Sequence, residues 1–175
     1  MAEIIAFFSR KHQNYVNGEI RDLEVGNTET AARMIQKFTE AELFQIEPLQ
    51  EYSKDYNECI AQAQTDQRRD ARPELKGFPD ELEKYDTVYL GYPNYWSTMP
   101  MAVFTFLERC DFQGKRICPF CTHEGGGMGS SEADIKKLCP QAAVEKGLAI
   151  HGGSVNRAEP DIKKWLDFLR KKEDI

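Results

Sequence analysis

Nowhere does the chain contain an apolar run approaching the roughly 20 residues needed to span a bilayer. It also lacks a positive balance: 23 Lys+Arg stand against 29 Asp+Glu, a formal charge of −6. That disfavours non-specific binding to nucleic acid or to an anionic membrane. Basic and aromatic residues do not interleave either, since Arg68-Arg69 and Lys171-Lys172 sit among acidic side chains. Met1-Ala2-Glu3 has no basic region of the kind that opens a signal peptide, so the expected location is the cytoplasm. The five cysteines (Cys59, Cys110, Cys118, Cys121 and Cys139) are an odd number spread over 175 residues. They are no disulfide framework and are expected to be reduced. Also missing are a Ser-His-Asp arrangement, a metal-carboxylate cluster, a P-loop lysine and any internal repeat.

What is present alternates in type. Glu3 to Phe8 is a nearly continuous apolar run, expected as a first strand buried on both faces. After Gly26, Ala31, Met34, Ile35 and Phe38 recur at helical spacing. Leu43 to Ile46 reads as a short edge strand ending at Pro48, and a polar helix is expected from Ser53, with Tyr52, Tyr56, Cys59, Ile60 and Ala63 on its buried side. The segment Pro73 to Pro79 is a connection. Thr87 to Gly91 is the third strand, and Gly91 to Pro93 is expected to end it. A helix follows from Met99-Pro100 to near Asp111, then a fourth strand from Arg116 to Thr122. Next come a helix from Ser131 to Leu138 capped by Ser130 or Ser131, a fifth strand from Val144 to Ile150, and a last helix from Pro160. Trp165 belongs to that helix's apolar stripe.

Such alternation implies right-handed crossovers and an open parallel sheet covered on both faces, in one domain spanning residues 1–175. In a five-strand 2-1-3-4-5 order, ligands bind beyond the strands' carboxyl ends, where the connections after strands 1, 3 and 4 meet. The first supplies Ser9 and then Gly26-Asn27-Thr28-Glu29-Thr30, either a phosphate site at a helix N-terminus or an ordinary cap. The second crowds Tyr92, Tyr95 and Trp96 onto a turn, either for a flat ligand or for packing on the scaffold or a partner subunit. The third, Thr122-His123-Glu124-Gly125-Gly126-Gly127-Met128-Gly129, lets backbone approach a ligand closely, or is simply a flexible loop.

Together Ser9 with Gly26-Asn27-Thr28, Gly91-Tyr92-Pro93-Asn94-Tyr95-Trp96 and Phe120-Cys121-Thr122-His123-Glu124-Gly125-Gly126 resemble the flavodoxin-like FMN-binding proteins, over essentially the whole chain. The resemblance implies a three-layer sandwich and a non-covalent FMN. Its phosphate would lie on Ser9, Asn27, Thr28 and Thr30, and its isoalloxazine beside Pro93, Asn94, Tyr95 and Trp96. The ring's polar edge would face Thr122, His123, Glu124, Gly125 and Gly126. One departure stands out: family members usually keep the phosphate loop short, whereas here residues 10–25 intervene after Ser9. In that insertion Asn17-Gly18 is a hairpin signal, making it either a lid carrying His12 and Tyr15 or a surface flap.

Cys118-Pro119-Phe120-Cys121 is similar to the redox pair of glutaredoxins. Such a pair needs its first cysteine at a helix N-terminus, and residues three apart on a strand point to opposite faces. Pro119 predicts a bulge or a shortened strand. His123 and Glu124 either carry protons or fix their loop, and His151 is expected to cap the turn after the fifth strand. The expected function is FMN-dependent electron transfer, as a shuttle or as a reductase. The partner would be a redox protein or a small quinone-like acceptor, with a homodimer as one possible assembly. The alternative is a binding or regulatory module of the same fold without redox turnover.

Overall fold

The computed structural model describes residues 2–174. A parallel sheet of β1 (Ala2–Phe7), β4 (Glu42–Gln45), β5 (Tyr85–Pro93), β6 (Arg116–His123), β7 (Ala143–Val144) and β8 (Leu148–His151) forms its centre. The order is β4-β1-β5-β6, with β7 and β8 both alongside β6, which is the expected 2-1-3-4-5 order with the fifth strand in two pieces. The helices are α1 (Asn27–Thr39), α2 (Tyr56–Arg68), α3 (Met101–Arg109), α4 (Ser131–Leu138) and α5 (Glu159–Glu173). Residues 12–23 form a separate antiparallel hairpin, β2 (His12–Val16) and β3 (Glu19–Leu23). Its turn residues Asn17 and Gly18 both take positive φ (52° and 82°), the conformation that matches strand twist and that Asn-Gly tolerates.

Strand alternation divides the core in two. Ile4, Ala6 and Phe8 of the first strand segment, Val88, Leu90 and Tyr92 of β5, and Ile117 and Cys121 of β6 pack with Ala102, Val103 and Phe106 of α3 and Ile135 of α4. Ile5, Phe7, Tyr89, Cys118 and Phe120 face the other way, onto Ala31, Ala32 and Ile35 of α1 and Ile162, Trp165, Leu166 and Leu169 of α5. Each strand is therefore apolar on both sides, as a parallel sheet under two helical layers requires. Cys118 and Cys121 fall on opposite faces, and burial pushes both thiols up to about 12. A chelating or dithiol pair is thereby ruled out for them.

Three expectations need correcting. Gly91 does not end its strand: β5 continues to Pro93, and Phe120, in register with Gly91 on β6, lays its ring where a Cβ would stand. Tyr92, being still in the strand, points into the core, where its hydroxyl donates to Ser131 Oγ at 2.8 Å. The second helix starts at Tyr56 rather than Ser53, because Asp55 accepts the Glu58 N–H and caps it. Finally, neither Ser130 nor Ser131 caps α4 by side chain; Ser131 Oγ donates instead to the Met128 carbonyl.

The proline in β6 acts on its neighbour. Beside β6, β7 pairs with Arg116 and Ile117 and β8 with Phe120 to His123, so Cys118 and Pro119 have no partner there. Pro119 turns its carbonyl toward Gly147 and has no N–H to give on that edge, so the fifth strand breaks at residues 145–147. Side chains satisfy the freed groups: Glu132 accepts the Gly147 N–H (2.9 Å) and Trp165 donates to the Lys146 carbonyl (2.9 Å).

Glu145, in that break, receives Arg116 Nε at 3.2 Å and Lys172 Nζ at 3.1 Å, tying α5 to the sheet. Burial works against ionisation, yet the hydrogen bonds from Lys172 and Arg116 outweigh it and hold the carboxyl below its ordinary value. A depressed carboxylate stabilises the fold above its ordinary pKa, and the contribution is lost as pH falls through the lowered one. Glu145→Gln should therefore lower stability near neutrality and flatten its decline below about pH 4.5. Urea unfolding midpoints measured from pH 3 to pH 7 check this, and equal slopes in both proteins would contradict it.

Candidate functional site

At the carboxyl ends of β1, β5 and β6 lies a cavity of ≈290 Å³. Its floor is set by α1 meeting β6: Thr28 Oγ1 and Thr122 Oγ1, both buried, share a hydrogen bond of 2.8 Å. Within the first turn of α1 the Glu29 N–H goes to Ser9 Oγ (3.0 Å) and the Thr30 N–H to the Gly26 carbonyl (3.1 Å). The Asn27 and Thr28 N–H groups are left pointing out of the helix end, where the dipole is positive. Gly26 is required because any Cβ would overlap Ser9 Oγ and the Arg10 carbonyl, at 2.2 and 2.7 Å.

The aromatic loop forms one side. Asn94 organises it, accepting the Ser97 N–H on Oδ1 (2.9 Å) and donating from Nδ2 to the Gly127 carbonyl (2.9 Å). Tyr95 and Thr98 exchange backbone hydrogen bonds, and the tight turn forces Trp96 and Ser97 to φ of 53° and 73°. Such conformations cost a non-glycine residue about 1–3 kcal/mol and gather at functional loops. Ser97 is held by Ser130, and Gly129, itself at φ 54°, leaves no space for a Cβ against the Ser97 carbonyl. The two ring residues differ sharply. Tyr95 packs edge-on against Phe8 and Tyr52, with centroids 5.8 and 6.1 Å away, and desolvation raises its phenol well above the ordinary value. Trp96 stays 44 % exposed, its Nε1 donating to the Ile60 carbonyl of α2 (2.8 Å).

On the third loop, His123 Nδ1 accepts the Gly125 N–H (2.9 Å). In the neutral ring the proton therefore sits on Nε2. Burial, with the neighbouring His151 ring 6.0 Å away, lowers the His123 pKa and so favours the neutral ring. His151 does not merely cap a turn: its Nε2 lies 3.1 Å from Glu124 Oε2, and Nδ1 lies 3.4 Å from Ser154 Oγ. Glu124 Oε1 is buried in the cavity wall without a partner among the described residues.

Of the residues singled out from sequence, Asn27, Thr28, Pro93, Asn94, Tyr95, Trp96, Thr122, His123 and Glu124 line this one cavity. Ser9 and Thr30 lie outside its lining: Ser9 faces an adjoining cavity and serves the helix end, and Thr30 Oγ1 turns back to the Gly26 carbonyl. Gly125 and Gly126 also lie outside the lining and are exposed. Arg10, Asn14 and Tyr15 of the insertion and Tyr56, Ile60 and Ala63 of α2 complete the wall. The α2 residues carry a signal, for their spacing marks a buried stripe, but four of its five members, Tyr56, Cys59, Ile60 and Ala63, line the cavity and only Tyr52 packs on the core. Gly152 joins them because a Cβ there would meet the Asn27 amide and Glu124 Oε1, at 2.6 and 2.9 Å.

The sequence model of the Flavodoxin family matches residues 23–169. Among solved structures, the chain is similar to a protein of Bacteroides eggerthii classed as a flavoprotein. Identity is 26 %, TM-score 0.77, and coverage 95 % of this chain and 96 % of that one. It is also similar to a flavoprotein of Lactobacillus acidophilus solved in complex with FMN, at 16 % identity and TM-score 0.65, covering 89 % and 97 %. A third likeness is to oxidised flavodoxin 2 of Bacillus cereus, at 17 % identity and TM-score 0.52, covering 95 % and 99 %. No curated protein sequence matches the chain.

Proposed function

The chain belongs to the flavodoxin family, and from that premise we propose that it binds FMN non-covalently in the three-loop cavity and takes part in electron transfer. One observation carries the reading. A helix end with two outward N–H groups and a half-exposed indole stand at the rim of the same small cavity, matching a phosphate at one end of a ligand and a flat ring at the other.

The residues fit the group. Asn27 and Thr28 meet the phosphate through backbone N–H and side chain, and Gly152 leaves the Asn27 amide unobstructed. Trp96 provides the ring wall, while Tyr95 braces the loop from behind. The His123 Nε2–H faces the polar edge, and Thr122 fixes the Thr28 hydroxyl at the cavity floor. When bound, FMN supplies reversible one- and two-electron chemistry. Glu124 and the net charge of −6 disfavour further negative charge in the cavity, which lowers the potential of a reduced anionic ring. The same site serves either a one-electron shuttle or a reductase that passes hydride to an acceptor.

The protein should be yellow, or turn yellow on adding FMN, with quenching of both flavin and tryptophan fluorescence. A colourless protein whose tryptophan emission ignores FMN would sink the reading. Steady-state NAD(P)H oxidation with a quinone separates the two roles, since a shuttle turns over almost none. A redox protein or a quinone-like acceptor would take the electrons.

A further inference from the structure

The hairpin of residues 12–23 is fastened at two places on opposite sides of the cavity. At its root, Gln13 accepts the Tyr56 N–H (2.9 Å) and donates its own N–H to the Lys54 carbonyl (3.3 Å). Arg10 adds hydrogen bonds to the Ser53 and Lys54 carbonyls, at 2.7 and 2.9 Å. At its tip, Asn17 donates its N–H to Glu124 Oε2 (3.2 Å) and its amide to the Gly153 carbonyl (3.4 Å). Between these anchors Asn14 and Tyr15 line the cavity, and Tyr15 stacks on Tyr56 of α2 with centroids 5.9 Å apart.

An isolated two-stranded hairpin is marginal in water, so these anchors set where it lies. They are unequal. The root combines covalent attachment with four hydrogen bonds of 2.7 to 3.3 Å, whereas the tip depends on two, of 3.2 and 3.4 Å, to residues far along the chain. We propose that the hairpin is a strap across the ligand cavity, hinged at Arg10 and Gln13 and latched at its tip by Glu124 and Gly153, with Tyr15 as a ligand-facing ring on its underside. The assignment rests on the flavin reading for the identity of the ligand. Ligand entry and exit then require the tip to lift, and the latch sets how often that happens.

Gly153 offers a clean lever. It does not line the cavity and its φ is not positive, yet a Cβ there would lie 1.9 Å from Asn17 Oδ1. Gly153→Ala should push the tip off, and Asn17→Gly should weaken it while keeping a turn that needs positive φ. In ligand-free protein, amide hydrogen exchange across residues 12–23 should quicken about tenfold in either variant, the worth of roughly one hydrogen bond, with the core helices unchanged. Release of FMN from the loaded protein, followed by fluorescence recovery on dilution, should quicken by a similar factor. Unchanged hairpin exchange in both variants would overturn the proposal. So would faster exchange with unaltered FMN release. A wild-type protein that takes up no FMN would instead overturn the flavin reading, while exchange in the free protein still tests the latch.

Discussion

Gly91→Ala is expected to destabilise the protein by about 3 kcal/mol, at the upper end of what overpacking a core costs. The added methyl would stand 2.2 Å from Cζ and 2.4 Å from Cε2 of Phe120. Phe120 has nowhere to retreat. It is wholly buried, with its ring edge-on to Trp165 at 6.4 Å in the layer beneath α1 and α5. Because the conflict is between two named groups, it should be relieved by shrinking the other one. Phe120→Leu alone removes packing, but combined with Gly91→Ala it should give a double variant more stable than the sum of the single effects, by about 1–3 kcal/mol. Urea denaturation of the four proteins measures this. Strict additivity would show that strand geometry, rather than the ring, makes alanine costly at position 91.

The second large effect is on affinity. Trp96→Ala should weaken FMN binding about 10- to 100-fold, the worth of one aromatic platform under a planar heterocycle. Stability of the unliganded protein should change little, since the indole is 44 % exposed. Trp96→Phe should recover most of the loss, whereas Tyr95→Phe should leave affinity nearly intact because that ring is packed against Phe8 and Tyr52. Thr28→Val differs in kind. It removes the buried bond to Thr122, so affinity and stability should fall together, stability by about 1–3 kcal/mol through the unpaired Thr122 hydroxyl. Flavin fluorescence titrations alongside thermal melts separate these outcomes. Equal affinities for Trp96→Ala and wild type would remove the indole from the site.

What could be read from residues alone follows locality. The hairpin is legible at Asn17-Gly18 because turn chemistry is settled by two residues, and the covered parallel sheet follows from strands alternating with helices, though alternation alone does not give the strand order. Tyr92 was misread because glycine and proline look like a strand's end. Only the neighbouring Phe120 reveals that Gly91 is a recess inside the strand, after which alternation carries Tyr92 inward. The proline in β6 was visibly awkward, but its effect fell on a different strand, which a chain read in order cannot show. Tyr56, Ile60 and Ala63 displayed the right periodicity for burial without saying whether core or ligand would cover them. Ser9 illustrates the converse. Its hydroxyl accepts the Glu29 N–H twenty residues on and shapes the helix end, a role its sequence neighbours do not show, while its own O–H remains free to donate.

The broken fifth strand has one more consequence, for how the molecule behaves in company. A long exposed strand is a template on which another chain can add itself. Here one sheet margin is β4, four residues long, and the other is divided into pieces of two and four residues whose freed groups between them are taken by Glu132 and Trp165. Neither margin of that sheet runs beyond four residues unbroken. The interruption forced by Pro119 therefore shortens the edge that another chain could extend.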